Sequence, residues 1–162
     1  MILSGGSDSF NMLEHIAELF VNNIDVQVDI ICGAFYPDFI GLKQKFSNYS
    51  NLCFYQNVSN LDEFMETADL AISAGGTTLY ELCAKGTPTI SYSFTDNQLG
   101  NVVQFHEDGI IEYAGDVRTD DVYANIYKIY EKYKDPELRK CYSGKMQKVM
   151  DGQGAARIAA LL

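Results

Sequence analysis

The sequence predicts an α/β fold: a Rossmann-like, three-layer α/β/α domain on a parallel sheet of about six strands. Two observations carry this expectation. Short apolar segments without polar alternation recur along the chain, as strands buried on both faces require. Between them lie stretches with helical spacing, and strict strand–helix alternation marks a parallel sheet covered on both sides. The length of 162 residues suits one domain, so residues 1–162 are read as a single unit.

The elements follow in order. Residues 1–4 (MILS) are the first apolar run, broken by Gly5-Gly6. Ser7 or Asp8 can cap a helix in which Met12, Leu13, Ile16, Leu19 and Phe20 share one side, ended by Asn22-Asn23. VQVDIIC (26–32) is rich in β-branched residues and reads as a strand closed by Gly33. Pro37 suits the first turn of a helix with Phe39, Ile40, Leu42 and Phe46 on one side. LCFYQ (52–56) is the next strand, and 61–68 a short helix capped by Asn60. LAISA (70–74) is a buried strand broken by Gly75-Gly76. Thr77 or Thr78 then starts a helix that Gly86 stops. PTISYSF (88–94) is a strand, Asp96 or Asn97 precedes a helix ending near Gly109, and IIEYAG (110–115) is the last strand. The remainder is helical: a stripe of Val122, Ile126, Ile129 and Tyr130, a helix opened by Pro136, a break at 151–154, and AARIAALL. Crossovers between the parallel strands are expected to be right-handed.

Composition excludes several classes. The formal charge of -10 argues against a non-specific nucleic-acid binder, which needs a basic face. No apolar run approaches the ~20 residues that span a bilayer. The opening MILSGGSDSF lacks a basic n-region and a long apolar h-region, so no secretory signal is expected. Cys32, Cys53, Cys83 and Cys141 are irregularly spaced with no CxxC pair, which reads as free thiols in a reducing cytoplasm rather than a zinc site. No metal-ligand spacing stands out, and no cofactor is expected. His15 and His106 lie within helices, away from the strand ends.

In such sheets ligands sit outside the carboxyl ends of the strands. Three of those ends carry polar chemistry: Gly5-Gly6-Ser7-Asp8, Gly75-Gly76-Thr77-Thr78, and Thr95-Asp96-Asn97-Gln98. A parallel sheet puts all three on one edge. Two glycines admit a ligand to the backbone, and a helix starting at Thr77 or Thr78 offers free N–H groups. Only Lys43, Lys45, Lys85 and Arg118 are basic in the first 120 residues. An anion held here would therefore rest on backbone amides. Glu81, one turn into the helix, repels phosphate but suits a diol such as ribose hydroxyls. Each piece has a plain structural counterpart: a tight turn for the glycines, a first-turn carboxylate for Glu81, caps for the polar residues. The pattern is neither a P-loop nor a GxGxxG dinucleotide motif.

The stretch DLAISAGGTTLYELCAKGTPTISYSFTDNQ resembles the signature of the C-terminal domain of GT-B glycosyltransferases. It is most similar to the UDP-sugar hydrolase of pseudaminic acid biosynthesis and to spore-coat polysaccharide biosynthesis proteins. ILSGGSDSFN and DGQGAARI resemble the two ends of that domain. The resemblance implies that Gly75, Gly76, Thr77 and Thr78 hold a diphosphate and that Glu81 binds the ribose of UDP. It also implies that Gly6 and Ser7 border the phosphates or sugar, and that Asn97 and Gln98 touch the sugar. Val58 matches a position whose backbone meets uracil in a related lipid-linked N-acetylglucosaminyltransferase. The ligand implied is a UDP-linked amino sugar. The partner implied is the N-terminal GT-B half, which this chain lacks and which carries the catalytic residue in the hydrolase branch. Two alternatives stay open: a single-domain catalytic subunit that pairs with a separate acceptor-binding chain, and a non-enzymatic α/β binding module.

Overall fold

The computed structural model describes residues 1–6 and 8–161. Six strands form one parallel sheet: β1 (Ile2–Leu3), β2 (Val28–Cys32), β3 (Leu52–Gln56), β4 (Ala71–Ala74), β5 (Thr89–Ser93) and β6 (Glu112–Asp116). Between and after them lie α1 (Met12–Glu18), α2 (Phe39–Lys45), α3 (Leu61–Thr67), α4 (Thr78–Lys85), α5 (Asp96–Glu107), α6 (Val122–Tyr133), α7 (Pro136–Val149) and α8 (Gly154–Ala159). The spatial order is β3-β2-β1-β4-β5-β6, the doubly wound arrangement. Its register brings Ile2 level with Ile30 on one side and Ile72 on the other. The order reverses between β1 and β4, and at that point adjacent crossovers leave on opposite faces of the sheet and open a crevice.

The three layers follow from burial. Met12, Leu13 and Ile16 of α1, Leu42 of α2, and Val122, Ile126 and Ile129 of α6 pack on one face of the sheet. Met65 of α3, Leu79 and Leu82 of α4, Val102 and Phe105 of α5, and Met146 of α7 pack on the other. The stripe read from the sequence of α6 is the buried one.

Local signals explain most boundaries. Asp38 caps α2 by accepting from the Gly41 amide, so Pro37 lies just before the cap rather than in the first turn. Phe46 and Leu42 face the core, four residues apart, whereas Ile40 is 69% exposed, against expectation. An i, i+4 pair sets the buried stripe, and Ile40 lies off it. Asn60 stands at the N-cap of α3 without a side-chain cap bond and instead donates to Glu63. The α4 helix stops at Gly86, which adopts φ 73°.

Candidate functional site

A cleft of about 260 Å³ opens at the carboxyl edge of the sheet, over the end of β4 and at the order reversal. Gly5 and Gly6 of the β1–α1 loop form one side, Gly76, Thr77 and Thr78 at the start of α4 another, and Phe94 and Gln98 after β5 a third.

The β1–α1 loop is held from two directions. The Asp8 carboxylate, 7% exposed, accepts from the amides of Met12 at 2.8 Å and Leu13 at 2.9 Å and so ties the loop to the start of α1. Burial raises the Asp8 pKa, and those two amide bonds oppose the rise. From below, Gly33 leaves room for the loop. A Cβ there would sit 2.4 Å from the Gly5 carbonyl oxygen.

The β4–α4 junction divides its labour between neighbours. The Gly75 amide donates to the Tyr92 carbonyl at 2.8 Å, continuing the sheet, and the Gly76 amide donates to the Ala74 carbonyl at 2.9 Å. Neither N–H is free for a ligand, so of the run 75–78 expected to hold a diphosphate the two glycines cannot contribute their amides. Gly75 is buried, and a Cβ on it would meet Val102 Cγ1 at 2.2 Å. Its missing side chain makes room for α5, not for a ligand. At Gly76 nothing lies within 4 Å of an added Cβ. This glycine opens onto the cleft. The amides of Thr77 and Thr78 are the orphan donors of the helix start, with no acceptor among the described residues. Thr77 is exposed and Thr78 half-buried.

The other sequence-derived residues fall differently. Glu81 is exposed on the first turn of α4, three residues beyond Thr78 and therefore on its face of the helix, outside the cleft lining. Gln98 lines the cleft but is 8% exposed, and its Oε1 accepts from the Phe94 amide at 3.0 Å. That oxygen holds the β5–α5 turn, which leaves the Nε2 end of the amide for the expected contact with the sugar. Asn97 is exposed, lies outside the lining, and accepts from the Thr95 hydroxyl at 2.6 Å. Val58 lies in the loop between β3 and α3. It does not line this cleft, which concerns the diphosphate and not the uracil contact expected of it. Ser7 lies outside the described residues.

Sequence reasoning missed Ser4, Ser73 and Phe94, all of which line the cleft. The two serines stand near the carboxyl ends of β1 and β4, just ahead of the glycine-bearing loops. Small polar residues at those positions were the available signal.

No Lys or Arg lines the cleft. Lys45 is paired with Glu14 and Glu18, and Lys85 with Glu66. Arg118 bonds Asp116 at 2.7 Å and Asp96 at 2.7 Å, which fixes the start of α5 to the end of β6. The Arg118 guanidinium holds the Asp116 carboxyl down at about 2. A larger cavity of about 620 Å³ lies at the opposite, amino edge, among Ile2, Val28, Leu70, Tyr130 and Arg139. The Arg139 guanidinium there donates to the carbonyls of Tyr133 and Lys134. Ligands of parallel α/β sheets bind outside the carboxyl ends of the strands at the order reversal, so the smaller cleft is the candidate.

Comparison with known proteins agrees with this placement of the fold. The model of the glycosyltransferase family 28 C-terminal domain matches residues 1–153. The chain belongs to this family. Among curated relatives of the family 28 domain is the UDP-N-acetylglucosamine--N-acetylmuramyl-(pentapeptide) pyrophosphoryl-undecaprenol N-acetylglucosamine transferase of Helicobacter pylori. It is 30% identical over 125 residues, covering 68% of this chain and 34% of that protein. A processive diacylglycerol beta-glucosyltransferase of Bacillus cereus is 30% identical over 111 residues, covering 66% of this chain and 28% of the relative. This family 28 domain thus spans about a third of the length of these relatives. Among solved structures, MurG of Acinetobacter baumannii superposes with a TM-score of 0.69 at 14% identity, over 99% of this chain and 48% of that one. WaaG, a glycosyltransferase involved in lipopolysaccharide biosynthesis, superposes at 0.66 and 17%, over 94% and 43%. At those identities the structures speak for the fold alone. Among the described residues of this family 28 domain, no helix is long and apolar enough to cross a membrane.

Proposed function

We propose that this domain binds the donor of a sugar-transferring or sugar-hydrolysing enzyme, a UDP-linked amino sugar, with its diphosphate at the cleft over β4. The carrying observation is the pair of unpaired amides at Thr77 and Thr78, beside an open Gly76, in a cleft without any cation. Two amides converging at a helix start bind oxyanions through direct hydrogen bonds and the positive end of the helix dipole. The dipole alone contributes about 0.3–1 kcal/mol, so the charge-assisted hydrogen bonds supply the larger part. Glu81, on the same face as Thr78, then takes the two ribose hydroxyls.

The cleft is smaller than the ~300–1,000 Å³ of a complete ligand pocket. It suits one wall of a site whose other wall belongs to an N-terminal half, on the same polypeptide or on a separate subunit. In this reading the catalytic base and the acceptor, whether water or a lipid or polysaccharide hydroxyl, belong to that half, and this domain positions the sugar–phosphate bond. The resemblance to nucleotide-sugar hydrolases and spore-coat proteins supports reading the reaction as a step of cytoplasmic surface-polysaccharide or nonulosonic acid biosynthesis.

Calorimetric titration of the domain with UDP, UDP-N-acetylglucosamine, GDP and CMP tests the proposal. A preference for the uridine ligands is expected. Equal affinity for all four, or none for any, overturns it.

A further inference from the structure

The cleft has two unlike walls. Thr77 and Thr78 bring polar donors from α4, which packs on one face of the sheet with Leu79 and Leu82 buried there. Phe94 lines the cleft from the end of β5 and packs against the cluster on the other face. Phe10, from the β1–α1 loop, meets Phe94 in a tilted ring contact, with centroids 5.9 Å apart and planes at 47°. Strand β4 lies between β1 and β5, so this contact reaches across the end of β4, with Phe94 in the cleft lining and Phe10 just outside it.

Both rings stand on anchored backbone. Phe94 is held by the bond from its amide to Gln98 Oε1, and its ring lies 6.5 Å from that of the fully buried Tyr92. The segment carrying Phe10 is anchored by Asp8 on the amides of Met12 and Leu13. Phe10 is nevertheless 41% exposed. A large ring kept half in water, on an anchored loop beside a polar cleft, adds little to the core. It presents an aromatic face instead.

We infer that Phe10 and Phe94 form an aromatic wall that takes the apolar face of the glycosyl ring of the donor, which makes Phe10 a specificity residue for the sugar. This deepens the donor-site reading and rests on it. With the diphosphate on the amides of Thr77 and Thr78 and the ribose toward Glu81 on the outer face of α4, the other end of the diphosphate points across β4 toward the aromatic pair. The group attached there is the sugar. A pyranose carries C–H groups on its faces and hydroxyls on its rim. The electron-rich face of an aromatic ring therefore binds the sugar face while leaving the rim free for hydrogen bonds.

The test compares UDP with UDP-N-acetylglucosamine by calorimetry on three proteins: wild type, Phe10→Ala and Phe10→Tyr. Phe10→Ala is expected to weaken UDP-N-acetylglucosamine about two- to tenfold, the scale of one aromatic contact. UDP affinity stays unchanged, and Phe10→Tyr restores the sugar nucleotide to near wild type. Equal loss for both ligands in Phe10→Ala makes Phe10 a loop-packing residue and overturns the wall. Unchanged affinity for both ligands overturns it too, while leaving the donor site intact. Wild type that binds neither ligand removes the donor-site reading and the wall with it.

Discussion

The two adjacent glycines at the end of β4 respond oppositely to the same substitution. In Gly75→Ala the new Cβ arrives 2.2 Å from Val102 Cγ1, with Gln98 Cβ at 3.3 Å and the Tyr92 carbonyl oxygen at 3.4 Å. Val102 is fully buried in α5, and a β-branched side chain in a helix has one strongly favoured rotamer, so it cannot swing aside. Helix α5 must shift. Overpacking of this kind costs about 1–3 kcal/mol, a loss of about 2–12 °C in Tm at this chain length. In Gly76→Ala the Cβ meets nothing within 4 Å and the backbone is not left-handed. Stability should stay within about 0.5 kcal/mol of wild type or rise slightly, because the unfolded chain loses freedom. Urea unfolding of both variants, with Val102→Ala and Gly75→Ala/Val102→Ala to close a cycle, separates the effects. Trimming Val102 should make the alanine at 75 less harmful, with a coupling of about 0.5 kcal/mol or more. Gly75→Ala as stable as wild type, or a strictly additive cycle, refutes the assignment of Gly75 to helix packing.

Three further outcomes are expected. Glu81→Ala should weaken UDP binding by about 1–3 kcal/mol, the range for charge-assisted hydrogen bonds, with the fold intact by circular dichroism; unchanged affinity counts against the ribose role. Tyr92 is fully buried and its hydroxyl has no hydrogen-bond partner among the described residues, so Tyr92→Phe should raise the unfolding free energy by about 1–3 kcal/mol. A fall in the urea midpoint would show that the hydroxyl is satisfied. The Asp116 carboxyl, held at about 2 against an ordinary 3.8, contributes stability that is complete above about pH 4 and is lost as pH falls toward 2. Arg118→Met should flatten the dependence of the urea midpoint on pH across that window, and an unaltered slope would sever the link to this pair.

Much of the fold was legible because its signals are local. The run at 52–56 became β3, and Gly86 stopped α4. Strand order was not legible. β1 has two residues and yet stands at the centre of the sheet, and no local pattern reports which strands flank it. The site shows the same division. Gly75-Gly76 was visible as a break before a helix. What separates the two glycines is Val102, a side chain 27 positions beyond Gly75 whose packing only the folded structure reveals. Phe10 and Phe94 meet across 84 positions, and the second task of Gln98, its bond to the Phe94 amide, depends on a turn that only the fold defines. Val58 stays an expectation carried by resemblance alone: it sits in the loop between β3 and α3, outside the cleft lining, where a base rather than a diphosphate would have to reach it.

The central claim is that backbone amides at the start of α4, rather than lysines or arginines, receive a diphosphate on a protein of net charge -10. An amide-resolved NMR titration of the isotope-labelled domain with UDP tests it most directly. The largest shifts are expected at the N–H groups of Thr77 and Thr78, with smaller ones at Gly6 and Glu81. Shifts centred on Tyr130 and Arg139 at the amino edge, or silent threonine amides at saturating UDP, would contradict it.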